Sequence, residues 1–259
     1  MSGKAVVISF ASLKGGTGKT TLTLNLSHLW ADRGKKVLVV DFDPQANLTF
    51  SFLPPENIPE ASQTRSLFLR RTPEPFQVSE NLWLIGTDGR LSSWDLRGSS
   101  SDLLLPSQTL PLLPYDYDLI LLDTPTGWRP LTKAALLASD YVVIPIDPSP
   151  FSVAGVVRMV ESLVELSERH SRSVQILGVV VNIAEEHTRV TQRVIETVKQ
   201  LVGDDRFLGV LSKSVKVKET VLERKPLHVI ASGSKLSNQI IEISKNIERR
   251  VRRYEAKEG

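Results

Sequence analysis

The octapeptide Lys14-Gly15-Gly16-Thr17-Gly18-Lys19-Thr20-Thr21 restricts what this chain can fold into more than any other segment. It follows a largely apolar run, Ala5-Val6-Val7-Ile8-Ser9-Phe10, and precedes a helical pattern with Leu22, Leu26, Leu29 and Trp30 on one side. A strand, a glycine-rich turn and a helix in that order build a phosphate cradle. The glycines let backbone N–H groups converge without Cβ clashes, and the helix N-terminus adds its partial positive charge at the same point. In such a cradle Lys19 reaches the β/γ-phosphates and the Thr20 hydroxyl ligates Mg2+, with Gly15, Gly16, Thr17, Gly18 and Thr21 around the nucleotide. The general pattern wants a further glycine five residues before Gly18, and this chain has Leu13 there.

Apolar runs of strand length recur at 37–40, 119–122, 141–144, 176–181 and 207–211. Most are continuous rather than alternating, as in strands buried on both faces of a parallel sheet. Helical spacing occupies 151–170 and 187–202. A last helix is expected over about 234–253, with Ile240, Ile243, Ile247 and Val251 on one face and the cluster Arg249-Arg250-Arg252-Arg253 at its end. Alternating β and α predicts a single α/β domain over 1–259, a doubly wound, mainly parallel sheet flanked by helices. Residues 51–115 are proline-rich and include Ser99-Ser100-Ser101. Surface loops and short helices are expected there, with one strand at Leu82–Ile85.

The chain has no cysteine, so disulfides, thiolate metal sites and iron–sulfur clusters are excluded. Its four histidines show no metal-ligand spacing. No apolar run approaches the ~18 residues of a membrane span, and the first strand follows the N-terminus without a signal-peptide pattern. A cytoplasmic protein with no membrane partner is the expectation. Charge is uneven: residues 185–259 carry 16 Lys/Arg and 11 Asp/Glu, on a body that is slightly acidic. That third suits either a polyanionic partner or an ordinary solvated face.

Two further motifs lie at strand ends, the ligand-binding edge of a parallel sheet. One is Asp41-Phe42-Asp43-Pro44-Gln45-Ala46-Asn47, which also reads as a β-turn at Asp43-Pro44. The other is Asp123-Thr124-Pro125-Thr126-Gly127, where an apolar strand closes on a carboxylate suited to hold Mg2+. Asn182 ends the 176–181 run and offers an amide's paired donor and acceptor, although a strand-end turn explains it as well.

With Lys14 ahead of Gly-Gly-x-Gly-Lys-Thr, these motifs resemble the deviant Walker A loop and the switch segments of the ParA/MinD ATPase family. Thr126 and Ser212 stand where that family usually has proline. The resemblance implies a P-loop ATPase that converts ATP and water to ADP and phosphate with Mg2+. It implies catalytic roles for Lys19, for Asp43 as the residue orienting water, and for Lys14, which reaches the phosphates of a facing subunit in an ATP-dependent homodimer. It also implies that Thr20, Asp123 and Asp41 serve the metal, and that Asn182 reads adenine. The segment after the 207–211 run is similar to the family's DNA-contacting loop. It implies non-specific phosphate contacts from Lys213 and Lys216, extended by Arg189, within a basic, DNA-facing region over 185–259. The family reading is a nucleoid-associated ATPase that positions a plasmid, chromosome or protein organelle through a ParB-like or other adaptor that stimulates hydrolysis. The alternative is a MinD-like, membrane-associated positioning ATPase. Such an ATPase needs an amphipathic C-terminal anchor, and this tail is polar.

Overall fold

The computed structural model describes residues 5–97 and 101–258, so Ser99 and Ser100 lie outside the described residues. The strands are β1 (Val6–Phe10), β2 (Val37–Asp41), β3 (Phe76–Ser79), β4 (Leu82–Ile85), β5 (Leu119–Asp123), β6 (Tyr141–Ile146), β7 (Gln175–Ala184) and β8 (Phe207–Ser212), all but β3 built on the apolar runs. They make one sheet in the order β3-β4-β2-β5-β1-β6-β7-β8, parallel throughout except for the antiparallel β3–β4 edge. The strand order reverses at β1, which lies between β5 and β6. The loop after β1 therefore opens at the switch point, where sheets of this class hold ligands.

The N-terminal half adds α1 (Lys19–Asp32), α2 (Asn47–Phe52), α3 (Arg65–Phe68), α4 (Ser92–Arg97) and α5 (Leu105–Thr109). The C-terminal half adds α6 (Pro130–Leu137), α7 (Pro150–His170), α8 (Arg189–Val202), α9 (Lys216–Glu223), α10 (Leu227–Ile230) and α11 (Lys235–Glu258). Alternate side chains along each strand enter different cores. Ile8, Val37, Val39, Leu119 and Leu121 pack with α1 and α11, whereas Val7, Leu38, Val40, Ile120 and Leu122 pack with α6. A third cluster joins Val142, Ile144 and Val179 to α7 and α8. Burial on both faces is why the strand sequences are apolar without alternation.

Leu22, Leu26, Leu29 and Trp30 of α1 are buried as expected, and the helix is buried nearly all round, including Leu24 and Asn25, because α10 and α11 also pack on it. Strand β3 was not anticipated. It is a short edge strand whose Phe76-Gln77-Val78-Ser79 alternates half-buried and exposed, so no continuous apolar run announces it. The apolar stripe of α11 falls as expected: Ile240, Ile243, Ile247 and Val251 are all buried.

Candidate functional site

The loop between β1 and α1 is held by its own polar side chains. Ser12 Oγ donates to the carbonyl of Lys14 at 2.9 Å and lies 2.7 Å from Thr17 Oγ1. Gly16 and Gly18 have φ of +72° and +86°, conformations that only glycine adopts without strain. Among the described residues, none of the N–H groups from Gly15 to Gly18 donates to a protein acceptor. An anion cradle needs such free donors. A methyl at Gly18 would also run into the Asn182 side chain. Gly18→Ala is therefore expected to push the loop out of its cradle shape, and restoring that shape against αL strain of ~1–2 kcal/mol should weaken nucleotide binding by about tenfold. Titration with a fluorescent ATP analogue checks this, and unchanged affinity would contradict the cradle geometry.

Lys19 and Thr20 open α1 beneath this loop. The Lys19 side chain is buried and Nζ donates to Thr126 Oγ1 at 3.4 Å, so the Thr126 substitution keeps a polar partner in the site. Burial lowers the Lys19 pKa, with Asp123 and Asp43 pulling it back up. The Thr20 hydroxyl donates to Asp123 Oδ2 at 2.6 Å.

Three carboxylates crowd this point. Asp123 is fully buried, and its pKa is raised well above the usual range by desolvation first and then by Asp41. Its second oxygen, Oδ1, is buried with no hydrogen-bond partner among the described residues. Asp41 is also fully buried, and desolvation pushes its pKa to about 7. Both of its oxygens are engaged: Oδ2 accepts from Thr49 N and Oγ1 at 2.9 and 2.7 Å, and Oδ1 accepts from Asp43 N at 3.0 Å. Asp43 is more open and accepts from Gln45 N at 3.0 Å, closing the turn at Pro44; burial raises its pKa too. A hydroxyl, an orphaned buried carboxylate oxygen and surplus negative charge are a donor set for a hard divalent cation. Thr20 and Asp123 could hold Mg2+ directly, whereas the Asp41 oxygens are already taken by backbone and Thr49.

Asn182 lies inside β7, which runs on to Ala184, rather than at its end. Its Nδ2 donates to the Thr17 carbonyl at 2.8 Å and its Oδ1 accepts from Ile183 N. The amide thus braces the phosphate loop, with one N–H and one oxygen lone pair left for a ligand. Gly16, Lys19, Thr21, Asp43, Thr126 and Asn182 all line one cavity of about 500 Å3, within the range of small-molecule sites.

Lys14 points out of this cavity and pairs with Asp147 Oδ2 at 2.6 Å, with Ser149 Oγ at 3.4 Å. Sequence reading missed Asp147, which follows β6 and lies 133 residues from its partner. Lys213 and Lys216 are exposed and paired with Glu185 and Glu219 at 2.6 and 2.7 Å. Arg189 is exposed on the first turn of α8. Neither Trp128 nor Arg129, which follow the Asp123 motif, joins the cavity. Arg129 pairs with Asp95 at 2.9 Å, and Lys133 lies over the Trp128 ring.

Comparison with known proteins agrees with this geometry. A family described as an AAA domain matches residues 5–176. The virulence plasmid ParA family protein pGP5-D of Chlamydia psittaci is 30% identical over 94% of this chain and 95% of its own length. The chromosome-partitioning ATPase Soj of Thermus thermophilus is 28% identical over 82% and 83%. Among solved structures, a McdA variant from Cyanothece in complex with ATP matches with a TM-score of 0.84 and 23% identity, over 96% of this chain and 97% of that one. That last likeness speaks for the fold.

Proposed function

This chain belongs to the ParA family of P-loop ATPases, and we propose from that premise that it hydrolyses ATP with Mg2+ to position a cargo. In this reading ATP joins two copies, the dimer binds DNA without sequence preference, and an adaptor on the cargo stimulates hydrolysis and release. The observation that carries the nucleotide chemistry is the buried, unpartnered Asp123 Oδ1 beside the Thr20 hydroxyl, directly beneath a loop of free N–H groups. Mg2+ supplies charge neutralisation on the phosphates when bound. The chain's own residues do the rest. Backbone N–H groups and Lys19 bind the phosphates, Asp43 orients the attacking water from the open side of the site, and Asp41 adds charge from one shell further out. The amide of Asn182 keeps the loop closed over α1 and turns its remaining donor and acceptor towards adenine.

Lys213 and Lys216, with Arg189, support the DNA reading. Glu185 is exposed and Glu219 half-buried, while both lysines are exposed; such surface pairs are worth ~0–1 kcal/mol, so a phosphate displaces them at little cost. Phosphate contacts of this kind carry no sequence information. A cytoplasmic, nucleoid-associated protein follows from this reading. The membrane-anchored alternative is weaker, because the apolar stripe of α11 is spent on the core. Among the described residues no helix is long and apolar enough to cross a membrane.

The test is fluorescence anisotropy with a duplex of arbitrary sequence, in ATP, in ADP and without nucleotide, at two salt concentrations. Binding should need ATP and weaken steeply with salt. Equal binding in ADP and ATP would break the link between nucleotide and DNA. No binding in any state would overturn the DNA reading.

A further inference from the structure

A second basic site lies at the opposite end of the sheet from the nucleotide. The turn Asp204–Arg206, just before β8, faces the last turns of α11 across a cleft lined by Asp205, Arg206, Arg250, Arg253 and Tyr254. Arg250 is only 8% exposed, yet its Nε has no hydrogen-bond partner among the described residues. Its Nη2 donates to Tyr254 Oη at 2.9 Å, its guanidinium lies 4.9 Å from that ring's centre, and Tyr254 Oη in turn donates to the Ile176 carbonyl at 3.2 Å. The tyrosine therefore fixes the orientation of Arg250 without neutralising it. A guanidinium stays charged at any working pH, and among the described residues no carboxylate pairs with Arg250 directly; Asp205 acts on it only across the cleft.

The carboxylate lining this cleft is Asp205, which pairs with Arg253 at 2.7 Å. Arg253, then Arg250 and Arg249, hold the Asp205 carboxyl below its usual range, and the three arginines lining the cleft outnumber this one carboxylate. Arg206 and Arg249 are exposed and extend the charge outwards, against exposed Asp204 and Glu255 on the same two elements. Strand β8 is the outer strand of the sheet. Its six residues put this cleft roughly 17–20 Å from Lys213. A duplex laid along that edge presents phosphates from both strands over this distance, about one charge per 1.7 Å of its axis.

We propose that Arg206, Arg250 and Arg253 form a second phosphate-binding site that takes the backbone of the same DNA. This rests on the DNA-binding reading given above. Bidentate guanidinium contacts suit phosphodiester oxygens better than lysine contacts do. The buried Arg250 acts as the fixed anchor, while Arg206 and Arg253 close on the phosphate from the solvent side.

The full-length chain in ATP is titrated with a duplex of arbitrary sequence over a salt series, with thermal melting to confirm that each variant is folded. Arg206→Glu combined with Arg253→Glu should weaken binding at least tenfold. It should also flatten the plot of log affinity against log salt by roughly 1.8, since each phosphate contact contributes ~0.9. Asp205→Asn removes the competing carboxylate and should tighten binding severalfold. Lys213→Glu with Lys216→Glu serves as the reference for the other end of β8. Affinity and slope unchanged in the arginine pair, with the lysine pair still impaired, overturns this site and leaves the DNA reading standing. Absence of binding by the unaltered chain overturns the DNA reading and this site with it.

Discussion

Asp123→Asn should cut hydrolysis by roughly 10²-fold or more and make the nucleotide-free protein more stable. The two effects share one cause. Asp123 is fully buried, accepts one hydrogen bond from Thr20, and leaves its other oxygen unpaired beside Asp41. Native structures tolerate such an arrangement where function needs it. An asparagine still accepts from Thr20 but brings no charge, so the desolvation and the repulsion from Asp41 both disappear. A gain of about 1–2 kcal/mol is typical of relieving one such defect, and it should raise Tm by a few degrees at pH 8. The sign with pH is fixed. Asp123 titrates higher in the folded than in the unfolded chain, so its ionised form opposes folding at high pH. The advantage of asparagine should therefore shrink as pH falls and vanish below about pH 4, where the aspartate is protonated in both states. If Asp123 holds Mg2+ as proposed, turnover should drop by roughly 10²-fold or more without the carboxylate. Calorimetry across pH, with phosphate release under saturating ATP and Mg2+, checks both halves. Destabilisation of the asparagine variant at pH 8 would mean that Asp123 is a structural carboxylate.

The parts of this site that were legible in sequence are those whose chemistry is contiguous. The phosphate cradle is encoded in eight adjacent residues, and Asp41 and Asp123 are recognisable because each closes an apolar run. Partners drawn from distant segments left no local signal. Thr49 clamps Asp41 from the next helix, and Asp147 meets Lys14 from the loop after β6. Asn182 shows the same limit: its position near a strand end is visible, but its grip on the Thr17 carbonyl depends on β7 running alongside the loop. The strands buried on both faces were legible from hydrophobicity alone. The edge strand β3 was not, because a half-exposed strand of four residues carries too few apolar positions to stand out. The arginine cluster of α11 was visible as charge, whereas the burial of Arg250 against Tyr254 is a property of the packed helix.

Lys14→Ala should leave the chain monomeric in ATP, and Asp147→Ala should do the opposite. In the single chain Lys14 is tied to Asp147, and that carboxylate is itself held by hydroxyls: Ser152 donates to its Oδ1, and Ser149 lies between the two partners. Burial acts to raise the Asp147 pKa. The hydrogen bonds from Lys14 and Ser152 outweigh it, and the carboxyl is held below its usual range. If Lys14 serves the phosphates of a facing subunit, this pair must open each time a dimer forms. The Lys14 side chain is 54% exposed, so the pair is a surface one worth ~0–1 kcal/mol. Asp147→Ala removes that cost once per subunit and should tighten the ATP-dependent dimer by about fivefold for each 1 kcal/mol released. Lys14→Ala instead removes two charge-assisted contacts from a desolvated interface. Each such loss costs ~2–5 kcal/mol, so dimer affinity should fall by several orders of magnitude. Sedimentation velocity in ATP, with ADP as the monomer reference, separates the cases. A Lys14→Ala chain that dimerises as tightly as the parent would reduce the Lys14–Asp147 pair to an ordinary surface contact. Dimer loss on lysine removal, together with dimer gain on aspartate removal, would identify the pair as the restraint that ATP-driven assembly has to release.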